Sequence, residues 1–374
     1  MKVILSPLFV LAALFGLVGA ALSKAQGTKE SWRKITPDLR LEYPRDHGSH
    51  PETQSEWWYL TGQLMDEDGR RFGYQFTIFR GGLSQASAAP ETSPLRASQV
   101  FAGHLAVTDL EAKKTHHAER LRRAGMGGLA SASTADMDLV LEDWTLVRDD
   151  EDRLIARASD RSHGIGVEFT LEPQKPLVRQ GVEGYSAKGV EPGNASAYVS
   201  WTRLATSGTL TVNGEARLVT GSSWFDHEFG SSVLGEGVVG WDWFGLQLED
   251  ERELMLFVLR KENGEVGIAS AATWIERDGN TVKLAREQFT VTPLDTWTSP
   301  RSDATYPAAW RLEFDSGSPP LEVRALVPDC ELSTTRSTGV TYWEGPVEVM
   351  REGAVYGRGY AELTGYAGTM SGRL

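Results

Sequence analysis

The stretch "SSWFDHEFGSS", Ser222–Ser232, sets an aspartate, a histidine and a glutamate side by side among aromatic residues. Three ionisable groups in an apolar, strand-like segment suit one of two jobs. They form a proton-transfer site at the edge of an apolar space, or a paired structural knot at a bend. On a strand, side chains alternate between faces. Trp224, Asp226 and Glu228 therefore share one face, and Phe225, His227 and Phe229 share the other. A given cavity meets either the carboxylates or the imidazole, unless Gly230 introduces a bulge or bend. Asp226 is the first candidate for a general acid, because a carboxyl held in dry surroundings stays protonated near neutral pH and can donate its proton. His227 is the candidate to orient that acid or to act on water, and Glu228 is the second carboxyl candidate.

Glu56 stands directly before Trp57-Trp58 and is the fourth candidate for a catalytic role. Its alternative is a buried ion pair with Arg80 or Arg203. Asp242 and Glu344 also sit beside tryptophans, where they are expected to help hold two halves of the molecule together. Trp58, Tyr74, Trp224, Trp241, Trp243 and Trp343 are candidates for lining the site of a long apolar ligand. Their ring faces would stabilise a developing carbocation. The same rings are also what a β-rich core needs for volume. His50, His104 and His227 show no metal-ligand spacing, and His116-His117 reads as an exposed turn, so no metal is expected. Ser223 lies in no G-x-S-x-G elbow, and no glycine-rich phosphate loop is present. Conventional serine chemistry is not expected, and neither is a cofactor.

The elements that must position these residues read as strands. "EWWYLTGQL", the acidic turn "DEDGR" and "FGYQFTIFR" form a hairpin pattern. It recurs as "AYVSWTRL", then "GTLTVNGEARLVTG" turning at Asn213-Gly214, as "GWDWFGLQLEDERELMLFVLRK", and as "WIERDGNTVKL". Helical periodicity is hard to find after the N-terminus, so the fold class is all-β. Many hairpin-joined strands suggest nearly closed barrels. Two units are expected, 51–230 and 231–374, each opening on a Trp-rich strand, in a weak internal duplication. The segments 83–98, 124–135, 161–166, 180–194 and 293–307 read as loops.

With 374 residues the chain suits two domains. Its net charge of −13 argues against a nucleic-acid partner, and the cluster Arg120, Arg122, Arg123 reads as a solvated edge. The single cysteine, Cys330, makes no internal disulfide. Lys2 and the uncharged run Val3–Ala21 read as a secretory signal peptide, assigned to 1–25 and followed by a polar arm, 26–50. The run is also long enough to serve as an uncleaved N-terminal anchor. Both readings put the body outside the cytoplasm, secreted or periplasmic.

Four stretches in order, "HPETQSEWWYLTGQL", "GSSWFDHEFGSS", "GWDWFGLQL" and "YWEGPVEV…GRGYAELTGY", span His50 to Tyr366. Together they resemble the AttH-like secreted proteins, which are related to the bacterial carotenoid 1,2-hydratases. The resemblance implies two consecutive lipocalin-like β-barrel domains in an exported protein. Members of the family are often labelled secreted hydrolases or carotenoid hydratases. The hydratases add water across a terminal isoprenoid double bond without a redox cofactor, at a site similar to the Asp226-His227 pair here. Glu228 and Phe229 depart from the hydratase pattern and set this sequence closer to the AttH-like branch. The expected function is binding of a long apolar or isoprenoid-like molecule or lipid by a monomer, with hydration or a related hydrolytic step as the enzymatic version. A non-catalytic carrier and an envelope interaction protein are the alternatives.

Overall fold

The computed structural model describes residues 32–83, 98–125, 127–231 and 234–370. The proposed signal peptide, the start of the arm, most of the 83–98 loop and Ser232 lie outside the described residues. What is described consists of strands and turns, with short 3-10 helices at Arg45–His47 and Arg286–Gln288.

The strands form two antiparallel sheets of lipocalin-like character, one of thirteen strands and one of ten among the described residues. Across the first, the order is Lys114–Arg123, Gln99–Asp109, Arg71–Gly82, Ser55–Asp66, Glu215–Gly230, Ala195–Val212, Ile165–Pro173, Leu154–Asp160, Trp144–Arg148, Asp138–Leu141 and Ala130–Ala132. The sheet rolls into a nearly closed barrel. At the meeting of its ends, a Cβ on Gly103 would lie 2.6 Å from a Leu141 methyl and 3.0 Å from the Trp144 ring, so a larger residue there would have to displace both side chains. The second sheet runs Thr281–Leu284, Ala271–Ile275, Glu253–Lys261, Val238–Leu248, Ala354–Leu363, Val340–Arg351, Leu321–Ala325, Thr305–Phe314 and Phe289–Thr298.

The expected hairpins are present. Asn213 and Gly214 take φ of 53° and 79°, as a two-residue I′ turn requires. Two expectations are corrected. "AYVSWTRL" and "GTLTV" are one strand, Ala195–Val212. Gly208 does not break it; a Cβ there would lie 2.0 Å from the Glu168 carbonyl, so the glycine admits a close neighbouring strand. The segment 293–307 is not a loop. It belongs to the hairpin Phe289–Thr298 and Thr305–Phe314, and Pro293 is accommodated beside a bulge on the edge strand. Short strands also lie within two other expected loops, at Ala130–Ala132 and Tyr185–Ala187.

Each sheet is built around its Trp-rich strand. Ser55–Asp66 pairs with both Arg71–Gly82 and Glu215–Gly230; Val238–Leu248 pairs with both Glu253–Lys261 and Ala354–Leu363. Trp58, Phe72, Phe76, Phe101, Trp144 and Phe169 fill the first interior, and Phe244, Trp310 and Trp343 fill the second. The outer faces of the two central strands meet at a seam. Gln63 Nε2 donates across it to the carbonyls of Val347 and Gly359, both at 2.8 Å. Gln247 Nε2 reciprocates to Thr202 at 2.8 Å and Ser223 at 2.9 Å. The two glutamines occupy matching positions, the seventh residue of "WWYLTGQ" and of "WDWFGLQ", so the duplication in the sequence becomes an approximate two-fold exchange in space.

Candidate functional site

The strand Glu215–Gly230 ends at Gly230 and keeps its alternation throughout the ionisable triplet. Asp226 and Glu228 point to the seam, and His227 points into the first barrel beside Trp58. Asp226 and His227 are thus separated by the sheet, and no hydrogen bond joins them among the described residues. The imidazole does not orient the Asp226 carboxyl.

On the inner face, Glu56 is the hub. Its Oε1 accepts from His50 Nδ1 at 2.8 Å and His227 Nε2 at 2.9 Å, and its Oε2 accepts from Arg80 Nε at 2.7 Å and the His50 amide at 2.9 Å. His50 Nε2 continues to Asp46 Oδ1 at 3.0 Å. Burial pushes the Glu56 carboxyl upward, but the bonds from His227 and His50 outweigh it and hold the group well below the usual carboxylate range. Burial lowers His50 too, yet Asp46 and Glu56 raise it overall, while burial dominates at His227 and lowers it. The cluster therefore sets the Asp46 and Glu56 carboxylates against the Arg80 guanidinium and two imidazoles, of which His50 is made easier to protonate and His227 harder. The atoms of His50, Glu56 and His227 lie within 4.8 Å of one another, a spacing that a metal ion would also use. The Arg80 guanidinium on the same carboxylate disfavours a dication there and explains the geometry without one. The arrangement clamps the lead-in segment over the barrel end, with His50 stacked on Phe229 and His47 on Trp201. Arg203, the other partner considered for Glu56, pairs with Glu253 instead.

The outer face holds different chemistry. Asp226 Oδ1 accepts from Ser200 Oγ at 2.6 Å and Trp224 Nε1 at 2.7 Å; Oδ2 accepts from the Tyr198 hydroxyl at 2.7 Å. Trp243 Nε1, from the second sheet, donates to the Tyr198 oxygen at 3.0 Å. Burial pushes the Asp226 carboxyl up to about 7; the three donors oppose the rise, and the charge of Glu228 adds to it. Glu228 accepts from Lys188 Nζ at 2.8 Å and from the Ser196 hydroxyl. The Lys188 ammonium also lies 5.1 Å from the Tyr198 ring centre and 4.6 Å from that of Phe257.

One carboxyl here was not among the sequence candidates. Glu362 accepts from Trp241 Nε1 at 3.1 Å, and burial, with the charges of Asp226 and Glu228, pushes it up to about 7. It faces Trp243 in register as Asp226 faces Tyr59. The signal was available: aligning "WWYLTGQ" with "WDWFGLQ", and the strands paired to each, makes Glu362 the counterpart of Asp226. Glu344 joins the seam by accepting from the Tyr59 hydroxyl across the two sheets, as expected for a residue linking the halves.

The ring candidates divide. Trp224, Trp241 and Trp243 stand at the seam. Trp58, Tyr74 and Trp343 are core residues: Trp58 stacks on His227, the Tyr74 hydroxyl is 2.7 Å from Ser223 Oγ, and Trp343 donates to the Pro328 carbonyl at 2.6 Å. Asp242 points away from its tryptophans, as alternation required, to Arg260 at 2.8 Å. His116 and His117 are not an exposed turn; they lie mid-strand in Lys114–Arg123, where His117 Nε2 approaches the Ser333 carbonyl at 3.3 Å. His104 is remote from the Glu56 cluster and bonds instead to Tyr342 and Ser337. Arg120 and Arg122 are satisfied by Glu142.

Comparison with known proteins agrees with this architecture. Residues 34–366 match the family profile described as AttH-like. The crystal structure of an AttH protein from Nitrosomonas europaea is similar with a TM-score of 0.80 at 35% identity, covering 89% of this chain and 99% of that one. Kievitone hydratase from Nectria haematococca is similar with a TM-score of 0.66 at 16% identity, covering 91% and 97% of the respective chains, a likeness of fold. No curated protein matches the sequence.

Proposed function

This chain is a member of the AttH-like family, and from that premise we propose that it adds water, without a cofactor, across a double bond of a long apolar, isoprenoid-like molecule. The observation that carries the reading is the Asp226 carboxyl, buried among Tyr198, Trp224 and Trp243 and pushed up to about 7. Such a group is still substantially protonated at neutral pH and sits among rings able to stabilise a cation. The barrel interiors and the seam are both filled with side chains, so substrate reaches Asp226 only if the two sheets part at the seam.

In this mechanism Asp226, directly or through the Tyr198 hydroxyl, gives a proton to the less substituted alkene carbon. The carbocation left at the other carbon lies against tryptophan faces. Water adds to it, and its surplus proton passes to Glu362 or Glu228, from which it returns to Asp226. Protons and charge balance over the cycle. The fold shared with kievitone hydratase supports the reading at the level of architecture. The uncharged run Val3–Ala21 supports export to the periplasm or medium. A monomer of two barrels divided near Gly230 completes the proposal, and an envelope partner would supply or receive the lipid.

The test is native mass spectrometry of wild type and Asp226→Asn purified from the host envelope, with extraction of any bound lipid. Hydroxylated lipid in wild type and unmodified alkene in the variant support the reading. The same unaltered lipid in both makes the protein a carrier. Empty protein in both makes it an interaction module.

A further inference from the structure

A second polar chain crosses the seam, away from Asp226. Its outer end is the ion pair of Glu119 and Arg336, 3.1 Å apart, in which the Glu119 side chain is 5% exposed and the Arg336 side chain, 73% exposed, meets solvent. Ser337 Oγ donates to Glu119 Oε2 at 2.5 Å and lies 2.9 Å from His104 Nε2. His104 Nδ1 lies 2.9 Å from the Tyr342 hydroxyl. Tyr342 stands beside the Glu344 carboxyl, though it makes no full hydrogen bond to it. The Glu344 Oε1 atom is taken by Tyr59, and its Oε2 atom is buried without a hydrogen-bond partner. Glu344 pairs in register with Glu362, the counterpart of Asp226.

We propose that His104, with the hydroxyls of Ser337 and Tyr342 on either side of it, conducts protons between the surface at Glu119 and the buried carboxyl of Glu344. Each member both donates and accepts, which a conducting chain requires. Glu119 gives its proton to Ser337 Oγ as the Ser337 proton moves to His104 Nε2. The proton on His104 Nδ1 moves to the Tyr342 oxygen, and the Tyr342 hydroxyl, turned toward the partnerless Glu344 Oε2, passes its own proton there. The transfer runs once Glu344 has passed its own proton toward Glu362, its partner in register; Glu344 is then protonated again, Glu119 is left ionised against Arg336, and water supplies the next proton to Glu119. Rotation of the hydroxyls and a flip of the ring restore the starting arrangement.

The surroundings favour a neutral ring. His104 is 2% exposed, and burial, with a small contribution from the charge of His117, lowers it to about 3. An uncharged imidazole bridging two hydroxyls passes protons without trapping one. At the inner end, burial and the charge of Glu362 raise Glu344 well above the usual carboxylate range, so it holds a proton that can be exchanged. Phe79, 5.1 Å from the His104 ring centre, lines the path with an apolar wall. The inference deepens the hydration reading, in that it supplies a route by which the seam carboxyls recover protons, but its test needs no turnover.

The test is hydrogen–deuterium exchange of the protonated carboxyls, followed by infrared spectroscopy after transfer to heavy water, with Glu344→Gln assigning the band. In wild type the Glu344 band shifts as soon as mixing is complete. His104→Gln keeps an amide able to bond both neighbours but unable to pass a proton. Its exchange then waits for local opening and slows by about tenfold or more. Ser337→Ala, which cuts the chain near the surface and leaves the core packed, gives the same slowing if His104→Gln does not fold. An unchanged rate in whichever of these variants folds overturns the proposal. Asp226→Asn leaves the Glu344 exchange rate unchanged while abolishing hydration, so the two readings fail separately.

Discussion

Replacing Asp226 by asparagine tests the electrostatics of the seam with a sign and a size. The side chain keeps its shape, and its oxygen can still accept from Ser200 and Trp224. What disappears is a titration. In the open chain the carboxyl ionises near 3.8, and in the fold burial carries it up to about 7. A group whose folded pKa is raised contributes stability that is fully present below the unfolded value and is lost as pH rises through the folded one. Each pH unit of difference corresponds to about 1.4 kcal/mol, so the whole window is about 4 kcal/mol. Between about pH 5 and about pH 8 the wild type should lose about 3 kcal/mol relative to Asp226→Asn. Chemical denaturation of both proteins at each pH measures this, and the depressed groups common to both, His47 and His104, cancel in the difference. A stability difference that stays flat across that range refutes the claim that the seam keeps Asp226 protonated.

Other perturbations probe the remaining contacts. Glu56→Ala leaves Arg80 buried without its carboxylate and should cost about 3–5 kcal/mol by denaturation, with Glu56→Gln milder. Gln63→Ala and Gln247→Ala each remove two hydrogen bonds across the seam, and calorimetry should find similar losses of about 1–3 kcal/mol for each. Cys330 is buried with its thiol pushed up to about 12 by burial, so a maleimide should label it only when the protein is unfolded.

Local chemistry carried much of the fold. Asn213-Gly214 and the other acidic or glycine turns mark hairpins because few residues adopt those dihedrals. Strand alternation alone places Asp226 and His227 on opposite faces. Alternation does not say which face is inside, and that depends on Ser55–Asp66 pairing with a strand more than 150 residues away. That non-local pairing turned His227 inward to Glu56 and Asp226 outward to the seam. It also brought Tyr198 and Lys188 to the site, residues whose own neighbourhoods carry no signal. Pro293 reads as a loop residue because a proline usually argues against a strand, whereas an edge strand with a bulge tolerates one. Glu362 lies in the stretch "GRGYAELTGY" with no local mark of its role, since its meaning comes from the register that the two halves share.

The central claim is that the seam acid adds water to an apolar alkene. The direct measurement is incubation of the purified protein with a branched isoprenoid alkene in water labelled with heavy oxygen, followed by mass spectrometry of the extracted lipid. The account predicts a tertiary alcohol carrying the label in wild type and unreacted alkene with Asp226→Asn. Label incorporated equally by both proteins, or alkene recovered intact from wild type while bound, contradicts it.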